Sequence, residues 1–107
     1  LVSDHDYIIL VKSQMALYNT EEVNEECATL LWQARELAGD NPNLDIYKQE
    51  ILLLMRMNKQ AKAASTLKEY LGLLSRYQKQ GVQAEDEEWA NKEINWANQL
   101  LNKISRL

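Results

Sequence analysis

The chain contains no phenylalanine, one proline, one cysteine, one histidine and three glycines among its 107 residues. Each scarcity excludes something. A lone thiol, Cys27, cannot close an internal disulfide, so the fold does not depend on an oxidising compartment. With so little glycine and proline there is little material for tight β-turns. One histidine and one cysteine do not make the usual ligand set of a zinc site, and no metal or cofactor is expected. The longest unbroken apolar runs, Tyr7–Val11 and Ile51–Met55, fall far short of a membrane span, so no insertion by this segment is expected. Basic residues are in the minority, 12 against 16 acidic ones, and the formal charge of −4 disfavours nucleic acid as a partner. No signal peptide is visible; the compartment expected is the cytoplasm, with a periplasmic or membrane-tethered soluble domain as the alternative. The opening Leu-Val, in place of Met, leads to the expectation of a fragment of a longer protein.

What is present is helical grammar. Leu, Ala, Glu, Lys and Gln dominate, and apolar residues recur at three- and four-residue steps through five segments. The first segment, capped by Ser3 or Asp4 after a frayed start, carries Tyr7, Ile8, Val11, Met15 and Tyr18. Asn19 or Thr20 starts the second, whose stripe is Val23, Cys27, Leu30, Ala34 and Leu37, widened by Leu31 and Ala38. Gly39 and Pro42 end it. The third, from Leu44 to Met57, is apolar nearly all round and should be the most buried element. A short turn at Asn58-Lys59 folds the fourth back antiparallel, with Ala63, Leu67, Tyr70, Leu74 and Tyr77 in line. Gly81 and Val82 fit a Schellman-type stop. The last segment has a core line of Ala90, Ile94, Ala97, Leu101 and Ile104, while Asn91, Lys92, Asn95, Asn98, Gln99, Asn102 and Lys103 cover the rest.

A shift of 40 residues places Val23 on Ala63, Cys27 on Leu67, Leu30 on Tyr70, Leu31 on Leu71, Ala34 on Leu74 and Leu37 on Tyr77. A period of this size holding two helices marks a helical solenoid. The expected fold is therefore a single all-α domain: hairpin 1 over about 4–39, hairpin 2 over about 43–81 and a capping helix over about 83–106.

With Asn58 at the place of a turn glycine, Ala63 at that of a close-packing alanine and Leu67 at the following aromatic position, the pattern resembles tetratricopeptide repeats. The stretch LLWQARELAGDNPNLDIYKQEILLLMRMNKQAKAASTLKEYLGLL is also similar to the longer hairpins in the sensor regions of maltose-regulator-type transcription activators. The resemblance implies a right-handed stack of hairpins and a binding scaffold, not an enzyme.

No candidate for catalysis stands out. His5 lies between Asp4 and Asp6 near the start of the chain, and Cys27 has acidic neighbours where a reactive thiolate needs positive ones. The acidic runs at Glu21–Glu26 and Glu85–Glu88 sit at helix starts, where the dipole already favours negative charge. No phosphate-cradling glycine loop and no nucleophile elbow occur.

Charge distribution says more than net charge. Residues 48–79 hold seven basic residues against two acidic ones, a net of +5, between an acidic 1–47 at −7 and an acidic 80–107 at −2. The basic hairpin either binds its acidic neighbours or offers a docking surface for an acidic peptide. The function expected is a non-catalytic protein–protein interaction scaffold, binding a peptide or partner helix in the groove lined by the first helix of each hairpin. Its partner-binding residues are expected to be Tyr47, Lys48, Arg56, Lys59 and Lys62. Two other readings are a ligand-sensing regulatory domain of a transcription regulator and a self-associating module. The second would form a homodimer through Trp89 and Trp96, which stand seven apart on the last helix.

Overall fold

The computed structural model describes residues 2–41, 43–81 and 83–106. Five helices follow one another: α1 Asp4–Leu17, α2 Glu21–Ala38, α3 Leu44–Arg56, α4 Gln60–Lys79 and α5 Ala84–Ser105. No strand occurs among the described residues. Each helix packs on its neighbours in sequence, and α1 also packs on α3. The molecule measures 42 × 40 × 23 Å, and its short dimension matches two helix diameters. Two antiparallel hairpins and a closing helix thus form a stack two helices thick.

Side chains placed for capping set the boundaries. Ser3 is ordered, not frayed: its side chain accepts from the Asp6 backbone N–H, while its own N–H donates to the Asp6 carboxylate at 2.9 Å. This capping box satisfies two orphan donors at once. The Ser3 backbone bond first, then its hydroxyl, holds the Asp6 carboxyl below its ordinary range. Thr20 caps α2 by accepting from the Val23 N–H, and Asn43 caps α3 by accepting from the Asp45 N–H. Gly39 ends α2 at φ +61 and ψ −128, a positive φ but outside the left-handed helical region, so glycine is needed for a different reason than expected. Asn58 makes the tight α3–α4 turn at φ +57, a conformation asparagine tolerates better than most residues. The expected roles of Pro42 in ending α2 and of Val82 in the α4 stop lie outside the described residues.

Helix α3 is the centre. None of its residues is exposed, as its all-round apolar pattern predicts. Toward α4 and α5 it contributes Ile51 to a core with Ala63, Leu67, Tyr70, Leu74, Ala90 and Ala97. Toward α1 and α2 it contributes Leu53 to a cluster with Val11, Cys27 and Leu31, and Ile46 to one with Ile8 and Ala34. The alanines at 34, 63, 90 and 97 have no exposed surface, which marks where helix backbones approach most closely. The α2 stripe is buried at Cys27, Leu31 and Ala34 as expected, and departs from the expected one where Asn24 is buried and Leu37 is exposed. Tyr18 is exposed too, because α1 ends at Leu17 and Tyr18 is its C-cap.

Ion pairs between the hairpins run against the net charges. Lys12 of α1 reaches Asp45 of α3 at 2.7 Å, and Arg35 of α2 pairs with Glu50 of α3. In both, the acidic first hairpin supplies the cation. A third pair, Lys48 of α3 with Glu93 of α5, joins the basic hairpin to the acidic last helix.

Candidate functional site

Two grooves flank α3. The larger, about 1140 Å³, is lined from α1 by Lys12, from α3 by Asp45 and Lys48, from α4 by Tyr77 and from α5 by Trp89 and Glu93. Its floor carries the most developed polar cluster of the molecule. One oxygen of Glu93 accepts from Lys48 Nζ at 2.6 Å and from the Tyr70 hydroxyl at 2.7 Å. Lys48 Nζ also lies 3.9 Å above the Trp96 ring, and Trp96 meets Tyr70 edge to face at 6.4 Å. Further along, Trp89 meets Tyr77 in the same geometry at 6.2 Å. Aromatics seven apart on α4 face aromatics seven apart on α5, in antiparallel register.

The cluster ties α3, α4 and α5 together, and it occupies the lysine that sequence reasoning assigned to a partner. Burial first, then the hydrogen bond to Glu93, pushes the Tyr70 hydroxyl far above its ordinary value of 10.0. The native state thus keeps a proton that the unfolded chain releases above about pH 10. Unfolding free energy is expected to fall as pH rises beyond that point, and Tyr70→Phe to flatten the decline. Urea unfolding of both chains between pH 8 and pH 11 checks this.

The smaller groove, about 420 Å³, runs between α2 and α4 over α3. Leu31, Leu53, Leu54 and Met57 form its apolar base, and Trp32 is one wall. The Trp32 residue is 62% exposed. At the opposite wall stand Ser65, Thr66 and the exposed Lys59 and Lys62, which form no ion pair among the described residues. The Arg35–Glu50 pair crosses the groove, and the Arg35 guanidinium lies 4.5 Å over Tyr47. Burial works to lower the Arg35 pKa, but Glu50 and Tyr47 outweigh it and hold it above its ordinary value.

The five residues expected to bind a partner do not share a surface. Lys59 and Lys62 meet in the α2–α4 groove, while Lys48 lies in the larger one and is paired. Tyr47 is half-buried beneath Arg35. Arg56 donates to the Tyr18 carbonyl at 3.0 Å, fastening the end of α3 to the α1–α2 turn. Trp96 is half-buried against Tyr70, whereas Trp89 keeps 42% exposure beside Tyr77. Trp32 was missing from the expected set. Its signal was present: it stands off the Cys27, Leu31 and Ala34 line, and the 40-residue register puts it opposite Gly72, where no side chain exists.

Cys27 is fully buried, and burial foremost, with Glu26 adding, pushes its thiol up. Among the described residues no group of three or more His, Cys, Asp or Glu is placed to hold a metal ion. No helix among them is long and apolar enough to cross a membrane. Comparison of the chain with protein-family models, with curated proteins and with solved structures finds no match.

Proposed function

We propose that this domain is a non-catalytic interaction module of tetratricopeptide-like stacking that takes up an acidic, amphipathic peptide or partner helix in the α2–α4 groove. The observation that carries this reading is Trp32, 62% exposed on the wall of a groove with an apolar base. A large aromatic held in water beside an apolar floor is the composition of an interface anchor. Lys59 and Lys62, unpaired at the other wall, select for carboxylates on the occupant. The larger groove fits this role less well, because Lys12 and Lys48 are already matched by Asp45 and Glu93.

A labelled synthetic helix with a leucine stripe and glutamates on its flanks serves as the probe, with binding read by fluorescence anisotropy. Trp32→Ala is expected to cost about 2 kcal/mol, a loss of roughly 30-fold in affinity. The Lys59→Glu/Lys62→Glu pair is expected to abolish binding, and Lys48→Met to leave it within about twofold. Equal binding by the wild type and the Trp32→Ala chain refutes the reading.

A further inference from the structure

Helix α1 has more apolar residues than it has places in the core. Ile8 and Val11 are buried, yet Ile9, Leu10 and Leu17 remain 51%, 42% and 71% exposed. Their spacing puts them, with Ser13 and Ala16, on the side of α1 turned away from α3. Ser13 spends its hydroxyl on the Ile9 carbonyl at 3.0 Å, so the middle of the stripe offers no free donor. The stripe is about 12 Å long from Ile9 to Leu17, a little over two turns bounded by charge of one sign.

Asp6 stands at one end. At the other, the Tyr18–Thr20 turn brings the start of α2, where Glu21, Glu22, Glu25 and Glu26 are all exposed. The cations of the first hairpin are spent elsewhere, Lys12 on Asp45 and Arg35 on Glu50. The far end of the stack differs. There α5 turns Asn91, Lys92, Asn95, Asn98, Gln99 and Asn102 to solvent, a polar cap with no apolar stripe to offer. Head-to-tail addition of a second copy therefore buries α1 against the wrong chemistry, and face-to-face pairing of two α1 helices brings two sets of acids together.

We propose that the outward face of α1 docks a partner helix with an apolar stripe of about two turns flanked by Lys or Arg. Its charge preference is opposite to that of the α2–α4 groove, and it stands independently of that reading. The probe is a labelled synthetic helix of leucine and lysine, matched in its stripe to a leucine–glutamate helix. The Ile9→Asn/Leu17→Asn pair removes the stripe and keeps every charge; a circular-dichroism melt confirms that the fold survives, as these positions lie outside the core. The pair is expected to weaken leucine–lysine binding by about tenfold or more. Glu22→Gln/Glu26→Gln is expected to weaken it less and to reduce its salt dependence, while Trp32→Ala leaves it unchanged. Wild-type affinity in the Ile9→Asn/Leu17→Asn chain overturns the proposal, leaving charge attraction alone. So does a light-scattering mass of a dimer that the same pair converts to a monomer, which makes a second copy the occupant. Equal binding of the leucine–glutamate helix at this face overturns it as well.

Discussion

Glu93→Ala is expected to lower the unfolding free energy by about 3 kcal/mol, although the residue contributes nothing to the apolar core. One carboxylate oxygen holds both Lys48 and Tyr70, and the Lys48 and Glu93 side chains keep only 23% and 15% exposure. Truncation leaves an ammonium with only the Trp96 face beneath it and a buried phenol with no acceptor. Breaking such a pair from one side costs more than the pair itself contributes, because the orphaned groups stay desolvated. Glu93→Gln, which keeps an acceptor, is expected to cost less. The double change Lys48→Met/Glu93→Leu is expected to recover much of the loss. Urea denaturation of the four chains measures this.

Leu67→Ala is expected to be as damaging, by about 3 to 4 kcal/mol, through a different mechanism. Leu67 has no exposed surface and lies in the cluster where Ile51 of α3 and Ala97 of α5 converge on α4. Removing its side chain opens a cavity among three helices, and neighbours that are already small alanines cannot fill it. A fall in Tm of roughly 15 °C or more follows for a chain of this size. Leu17→Ala makes the same chemical change at a residue that is 71% exposed, and its cost is expected to stay within about 0.5 kcal/mol. Thermal melts of the two variants side by side separate burial from leucine content.

The fold was legible because its signals are local and redundant. Ser3 and Thr20 cap where short polar side chains precede apolar periodicity. The α4 line is buried at Ala63, Leu67, Tyr70 and Leu74 and half-buried at Tyr77, and the positions expected to form the polar face of α5 all face solvent. Periodicity was weaker on α1 and α2. On α1 the stripe of Tyr7, Ile8, Val11 and Met15 faces inward and leaves Ile9 and Leu10 outside it, but Tyr18 falls beyond the helix end and is exposed.

The site was less legible than the fold. Lysine content marked the second hairpin as basic, but which lysines are free depends on contacts far apart in sequence. Lys48 finds Glu93 only when α5 has packed across α4. Net charge also misled about the joint between the hairpins. The Lys12–Asp45 and Arg35–Glu50 pairs both draw their cation from the acidic first hairpin, because individual side chains are placed by helix register and not by segment totals. Trp32 is the reverse case. A residue that looked like one more aromatic becomes the candidate anchor once Leu31 and Ala34 take the core side of α2.

The most direct test of the interaction-module reading is a two-dimensional NMR titration of the ¹⁵N-labelled domain with the leucine–glutamate helix. The largest shifts are expected on Trp32, Lys59, Lys62 and Thr66, including the Trp32 indole N–H, while Lys48, Trp89 and Trp96 stay still. Shifts centred on Lys48 and Trp89, or no saturable shifts at all, would contradict it.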